Sequence, residues 1–129
     1  MKYYISKTVS MSYDEAIEKT TAALKEQGFG VLTEIDMQGT LKKKLGVDFH
    51  KYQVLGACNP NFAHQALQVE DKVGVLLPCN VVVQEKEEGS VEIAAMDPVS
   101  ALGIIENSEM DAIAKQVRDA VSKALNAVA

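Results

Sequence analysis

Tryptophan is absent from this chain of 129 residues, arginine occurs once, at Arg118, and cysteine twice, at Cys58 and Cys79. One arginine leaves almost no bidentate grip on phosphate or guanine, and 5% aromatic residues supply few platforms for stacking bases. Charge points the same way: 18 acidic residues against 13 basic give a net charge of -5, whereas nucleic-acid binding rests on clustered lysine and arginine. No nucleic-acid partner is expected. Long apolar runs are missing too, and the opening residues 1–7 are too polar for a signal peptide or a membrane span, so a cytoplasmic protein with no membrane partner is expected. In such a reducing compartment two cysteines 21 positions apart read as free thiols before they read as a disulfide.

No Pro/Gly/Ser-rich linker or low-complexity tract divides the chain, which reads as a single domain over 1–129. A chain of this length buries roughly two-thirds of its unfolded surface, so neither disulfides nor a structural metal are needed to hold it. Enzyme signatures are scarce. The residues from Gly39 to Lys44 lack the Walker spacing, no Gly-x-Ser-x-Gly turn occurs, and the methionines at 11, 37, 96 and 110 follow no copper-binding repeat. No catalytic residue stands out and no cofactor is named by any motif.

What is present is a clear alternation of elements. Residues 2–9 alternate in hydropathy as a strand does, with Tyr3, Ile5 and Val9 on one side and Tyr4, Ser6 and Thr8 on the other. Ser12 three before Glu15 forms a capping box, Tyr13, Ile17, Thr20 and Leu24 follow at helical spacing, and Gly28 stops the helix. A strand over 30–36 leads through Asp36 as a cap into a short helix over 37–45, with Leu41 and Leu45 as its buried side and Gly46 as its end. A third strand over 51–58 runs into Asn59-Pro60, an N-cap followed by the residue favoured at the first helical position, and a helix to about 69. The apolar run from Val75 to Val83 reads as a fourth strand, with Pro78 at a bulge or sheet edge because proline cannot donate to a ladder. Residues 85–90 make a hairpin turn to a fifth strand over 91–96, antiparallel to the fourth. Asp97-Pro98 starts a short turn or helical segment. Ser108 with Asp111 caps a last helix whose buried stripe is Met110, Ala114, Val117, Val121, Ala124 and Val128.

The order β-α-β-(short α)-β-α-β-β-α, without a βαβ glycine signature, predicts an α+β, two-layer fold: a mainly antiparallel sheet of about five strands with helices on one face. The other face, holding Tyr4 and Tyr52, needs cover, and a two-fold homodimer supplies it.

One candidate site emerges. Cys58 ends a strand where the free amides and positive end of the next helix favour a thiolate, and His64 follows about one turn into that helix. Cys79 comes after Pro78, and adjacency of the two strands would bring the thiols together. Cys58, Asn59, Pro60, His64, Pro78 and Cys79 are therefore the ligand-binding candidates, and Cys58, Cys79 and His64 the metal candidates. Three readings follow: a pocket for a small-molecule or anionic ligand, a soft-metal site, or a redox dithiol. The plainer reading makes the cysteines core residues, His64 a surface histidine, and Asn59 and Pro60 a helix cap. Lys42, Lys43 and Lys44 are weak anion-contact candidates beside the plainer reading of a solvated face. A purely structural protein-interaction module is the remaining alternative.

Cys58-Asn59-Pro60, Leu76-Leu77-Pro78-Cys79 and Asp97-Pro98, in that order after a lysine-rich segment at 41–46, resemble the family of unknown function numbered 302 over nearly the whole chain. The resemblance implies a fold of the TATA-box-binding-protein type, a curved antiparallel sheet with helices on one side and often a dimer, and no settled activity. It also implies that Asn-Pro and Leu-Pro are the shared positions and the thiols a feature of a subgroup.

Overall fold

Every helix begins at a side chain that accepts hydrogen bonds from the otherwise unpaired amides of the first turn. Ser12 takes the Glu15 amide (3.1 Å), Asp36 that of Gly39 (3.0 Å), Asp97 that of Val99 (3.0 Å), and Asn59 those of Asn61 and Phe62. The last helix departs from expectation. Its cap is Asn107, whose Oδ1 accepts from the amides of Glu109 (2.9 Å) and Met110 (3.1 Å), so Ser108 is already helical.

The computed structural model describes residues 2–129. In chain order the elements are β1 (Tyr4–Val9), α1 (Tyr13–Glu26), β2 (Gly30–Asp36), α2 (Met37–Leu45), β3 (Lys51–Cys58), α3 (Pro60–Val69), β4 (Cys79–Glu87), β5 (Ser90–Met96), α4 (Pro98–Leu102) and α5 (Ser108–Ala127). Single 3₁₀ segments lie at Asp71–Leu76 and Gly103–Ile105. The five strands form one antiparallel sheet in the order β1-β5-β4-β3-β2, so the fold is α+β as the element order predicts.

Period-two alternation decides which side chains meet the helices. On one face Leu55, Val81, Val83, Val91 and Ile93 are fully buried against Ala16 and Leu24 of α1 and Val117, Val121 and Ala124 of α5. Each such aliphatic side chain contributes about 1.5–3 kcal/mol by leaving water. A second apolar cluster, Ala66, Val73, Leu102, Met110 and Ala114, joins α3, α4 and α5 below the 3₁₀ segment. Lys7 also turns to the helix side at the sheet edge, where its Nζ donates to the carbonyls of Leu125 (3.4 Å), Asn126 (3.3 Å) and Val128 at the end of α5. A cation at that end offsets the helix dipole and the unpaired carbonyls.

Two further expectations need correction. The fourth strand begins at Cys79, not Val75: residues 71–76 coil as a 3₁₀ segment, Val75 is 86% exposed, and Leu76 and Leu77 pack on the second cluster instead. Pro78, after a cis peptide bond, therefore stands before β4 and not within a ladder, which is how an interior strand follows a proline directly. And α2 has no buried side: Leu45 is 69% exposed and no residue of the helix is fully buried.

Candidate functional site

The corner between β3 and α3 is built by Asn59. Its Oδ1 accepts from the amides of Asn61 (3.1 Å) and Phe62 (3.3 Å), while its Nδ2 donates to the Gln27 carbonyl (3.4 Å) at the end of α1. Asn59 is thus committed to structure, tying α3 to the turn that enters β2. Pro60 follows as the first helical residue and is exposed.

Behind the corner lies a cavity of about 30 Å³, bordered among others by Phe29, Cys58, Asn59, Phe62, Pro78 and Cys79. That is room for about one water molecule, well below the roughly 300 Å³ at which small-molecule pockets begin. Its walls are mostly apolar, and the side chain of Asn59, the polar group at its rim, is already bonded.

The strand register sets the two thiols. Cys79 lies directly opposite Ala57, sharing its helix-facing side, and alternation turns Cys58 the other way. Both thiols are free; Cys79 is buried and Cys58 half-buried. Burial, and secondarily the neighbouring Cys58, pushes the Cys79 thiol up to about 11, so it is protonated at neutral pH. A buried, protonated thiol is a poor nucleophile.

His64 is not brought to this corner. Phe62, Ala63 and Ala66 form the inward side of α3, whereas His64 is exposed and its Nε2 meets Gln68 Nε2 at 3.2 Å one turn along. Among the described residues no group of three or more His, Cys, Asp or Glu is placed to hold a metal ion. Lys42, Lys43 and Lys44 stand exposed on α2, at the far end of β3 from the corner, with Lys42 paired to Asp48 (2.9 Å).

A second surface is larger. On the sheet face away from the helices, Tyr4, Tyr52, Val54, Val82, Ala94 and Met96 lie side by side across four strands, following the register pairs Tyr4–Met96, Val54–Val82 and Val82–Ala94. An open groove of about 480 Å³ lies over Tyr4, Tyr52, Val82, Ala94 and Met96 and is bordered also by Tyr3, Gln84 and Glu92. A hydrogen-bonded row crosses its floor: Gln84 Nε2 donates to Glu92 (3.1 Å) and Gln84 Oε1 meets His50 Nε2 (2.9 Å), which makes that histidine nitrogen the donor. Phe49 stacks on His50 with ring centroids 4.2 Å apart. Of these groups only Tyr4 and Tyr52 stand out from the sequence. The alternation Val82-x-Gln84-x-Lys86 against Glu92-x-Ala94-x-Met96 carries the rest of the signal, since it sets Val82, Ala94 and Met96 among polar residues on the outward positions.

No helix among the described residues is long and apolar enough to cross a membrane. No protein of curated function matches the chain. In structure it is similar to an uncharacterized conserved protein of the same family from Bacillus stearothermophilus, with a TM-score of 0.92 and 29% identity over 100% of both chains. The model of the domain of unknown function DUF302 matches residues 5–128, nearly the whole chain, and the chain belongs to the DUF302 family.

Proposed function

We propose that the chain is a small homodimeric binding domain, an accessory component and not a catalyst, whose working surface is the uncovered face of the sheet. The observation that carries this reading is the one-sided packing: helices cover one face and leave Tyr4, Tyr52, Val54, Val82, Ala94 and Met96 uncovered on the other. Apolar groups gathered this way mark interaction surfaces, and stacking two copies about a two-fold axis covers both faces at once. Within the polar row Gln84 bridges His50 and Glu92, so each member brings one hydrogen-bond partner of its own to the face. Closed by a second copy, the groove of about 480 Å³ has the size of a small-ligand site.

Sedimentation of the purified chain tests the reading. The wild type is expected to sediment as a dimer at micromolar concentration, and Val82→Glu, which sets a charge in the middle of the face, as a monomer with unchanged circular dichroism. A wild type that stays monomeric at every accessible concentration sinks the proposal.

A second reading, a thiol site for redox or soft-metal chemistry through Cys58 and Cys79, draws support from both residues bordering one cavity and from Cys58 standing half-buried at the start of α3. The burial that keeps Cys79 protonated weighs against it. Thiol titration separates the two: a Cys58 pKa well below that of free cysteine favours the thiol site, and an ordinary value ends it.

A further inference from the structure

The segment following β2 is poorly anchored for an element of this size. α2 has no buried residue, and Leu45 (69%), Val47 (44%) and Phe49 (40%) are exposed along the stretch that returns the chain to β3. The segment is held by Gln38, which donates to the Phe49 carbonyl (2.9 Å), and by the stacking of Phe49 on His50 at the rim of the open face. It also carries three adjacent lysines in a chain of net charge -5. Lys42 is paired with Asp48, while Lys43 and Lys44 make no ion pair among the described residues.

The opposite charge stands at the same end of the sheet. Lys51 at the start of β3 lies opposite Glu85 near the end of β4, so the loop after α2 and the β4–β5 hairpin project from one edge of the sheet. Glu85 is engaged by Lys51 (3.9 Å) and by the Gly89 amide (3.1 Å), but Glu87 and Glu88 are exposed with no such partner among the described residues.

We infer that the lysine-bearing arm of residues 37–50 clasps the acidic β4–β5 hairpin of a second copy. The inference rests on the dimer proposed above and specifies how it is oriented. Two stacked sheets can be related by an axis along the strands or across them. An axis along the strands keeps the arm end of one copy over the arm end of the other and exchanges left for right. In the order β1-β5-β4-β3-β2 the arm, on the β2–β3 side, then comes over the partner's β1–β5 side, with β3 over β5 at the end where β5 leaves the hairpin that carries Glu87 and Glu88. An axis across the strands sets the arm over the opposite end of the partner's β2 and β3 instead, near Gly30 and Cys58, and away from the hairpin. Both halves of the clasp belong to one chain, so each dimer makes it twice, as an isologous interface requires. Charge of this kind fixes orientation and rejects wrong pairings more than it adds raw affinity.

Charge exchange tests the clasp, with the dissociation constant read by sedimentation at low and at high salt. Lys43→Glu with Lys44→Glu, and separately Glu87→Lys with Glu88→Lys, are expected to weaken the wild-type dimer about tenfold or more at low salt. The chain carrying all four reversals is expected to recover wild-type affinity to within about threefold, because the pairing is restored with its sign inverted. Reversals that leave the dissociation constant unchanged, or that add without recovery in the fourfold variant, overturn the clasp while a wild-type dimer keeps the broader reading intact. A monomeric wild type overturns both. Circular dichroism of each variant shows that the fold is retained.

Discussion

The side chain of Asn59 passes so close over Gly28 that a Cβ on that glycine would stand 2.8 Å from the Asn59 amide nitrogen. Gly28 also has a φ of +85°, in the region that costs a side chain strain, and it follows Gln27, whose carbonyl receives that same amide. The end of α1 and the start of α3 therefore constrain one another. Gly28→Ala is expected to cost roughly 2 kcal/mol through the combined backbone strain and contact, and Asn59→Ala about 1 kcal/mol or more from the lost cap. Urea unfolding of both single variants checks the values.

Gly56 is hemmed in from two sides. A Cβ there would meet Thr33 Oγ1 at 2.1 Å and the Pro78 ring at 2.9 Å. Gly56→Ala is expected to destabilise by about 1–3 kcal/mol, as overpacking does. Adding Thr33→Ala removes the nearer obstacle, so the double variant should regain part of the loss; strict additivity in a double-mutant cycle would show that Thr33 is not the obstacle.

Thr20 on α1 is buried and its Oγ1 has no hydrogen-bond partner among the described residues. A buried hydroxyl without a partner costs its desolvation and returns nothing. Thr20→Val keeps the shape and removes that cost, and is expected to raise stability by about 1 kcal/mol in chemical denaturation. Equal or lower stability counts against this account of the site.

Cys79 predicts a specific alkaline weakness. Burial first, and the nearby Cys58 second, raise its folded-state value from the ordinary 9.0 to about 11, so the folded protein holds the proton more tightly than the unfolded chain. That stability is fully present below pH 9 and is lost as pH rises towards 11, by roughly 2–3 kcal/mol in all. Denaturation midpoints measured across this window should fall for the wild type and fall less for Cys79→Ala. In the folded protein at neutral pH, iodoacetamide should modify Cys58 well before Cys79.

The capping residues were legible because their chemistry is local: Ser12, Asp36, Asn59 and Asp97 each need only the next few amides, and each caps the helix expected of it. Asn107 was misread for Ser108 because both residue types cap well and they are adjacent in the chain. The segment at 75–78 was hidden for a different reason. An apolar run before β4 looks like strand in isolation, and only the presence of Leu102, Met110 and Ala114 beneath it makes a coil that buries Leu76 and Leu77 preferable. The corner at Asn59 was visible in outline. Which way its members point was not, because the directions of His64 and Cys58 depend on the rotation of α3 and the register of β3 against β4, and these are set by distant residues.

The sheet order imposes a schedule on folding. β2, β3, β4 and β5 pair with strands adjacent to them in sequence and can zip together as the chain emerges, but β1 pairs with β5, so Tyr4 waits for Met96. Lys7 then waits longer still, for the carbonyls at the end of α5. Until that last helix arrives, α1 alone can cover the row of Val81, Val83, Val91 and Ile93, leaving part of it bare on one side while the open face is bare on the other. For that interval the growing sheet is apolar on both faces, and this nascent state, not the finished fold, is where the protein is most exposed to aggregation.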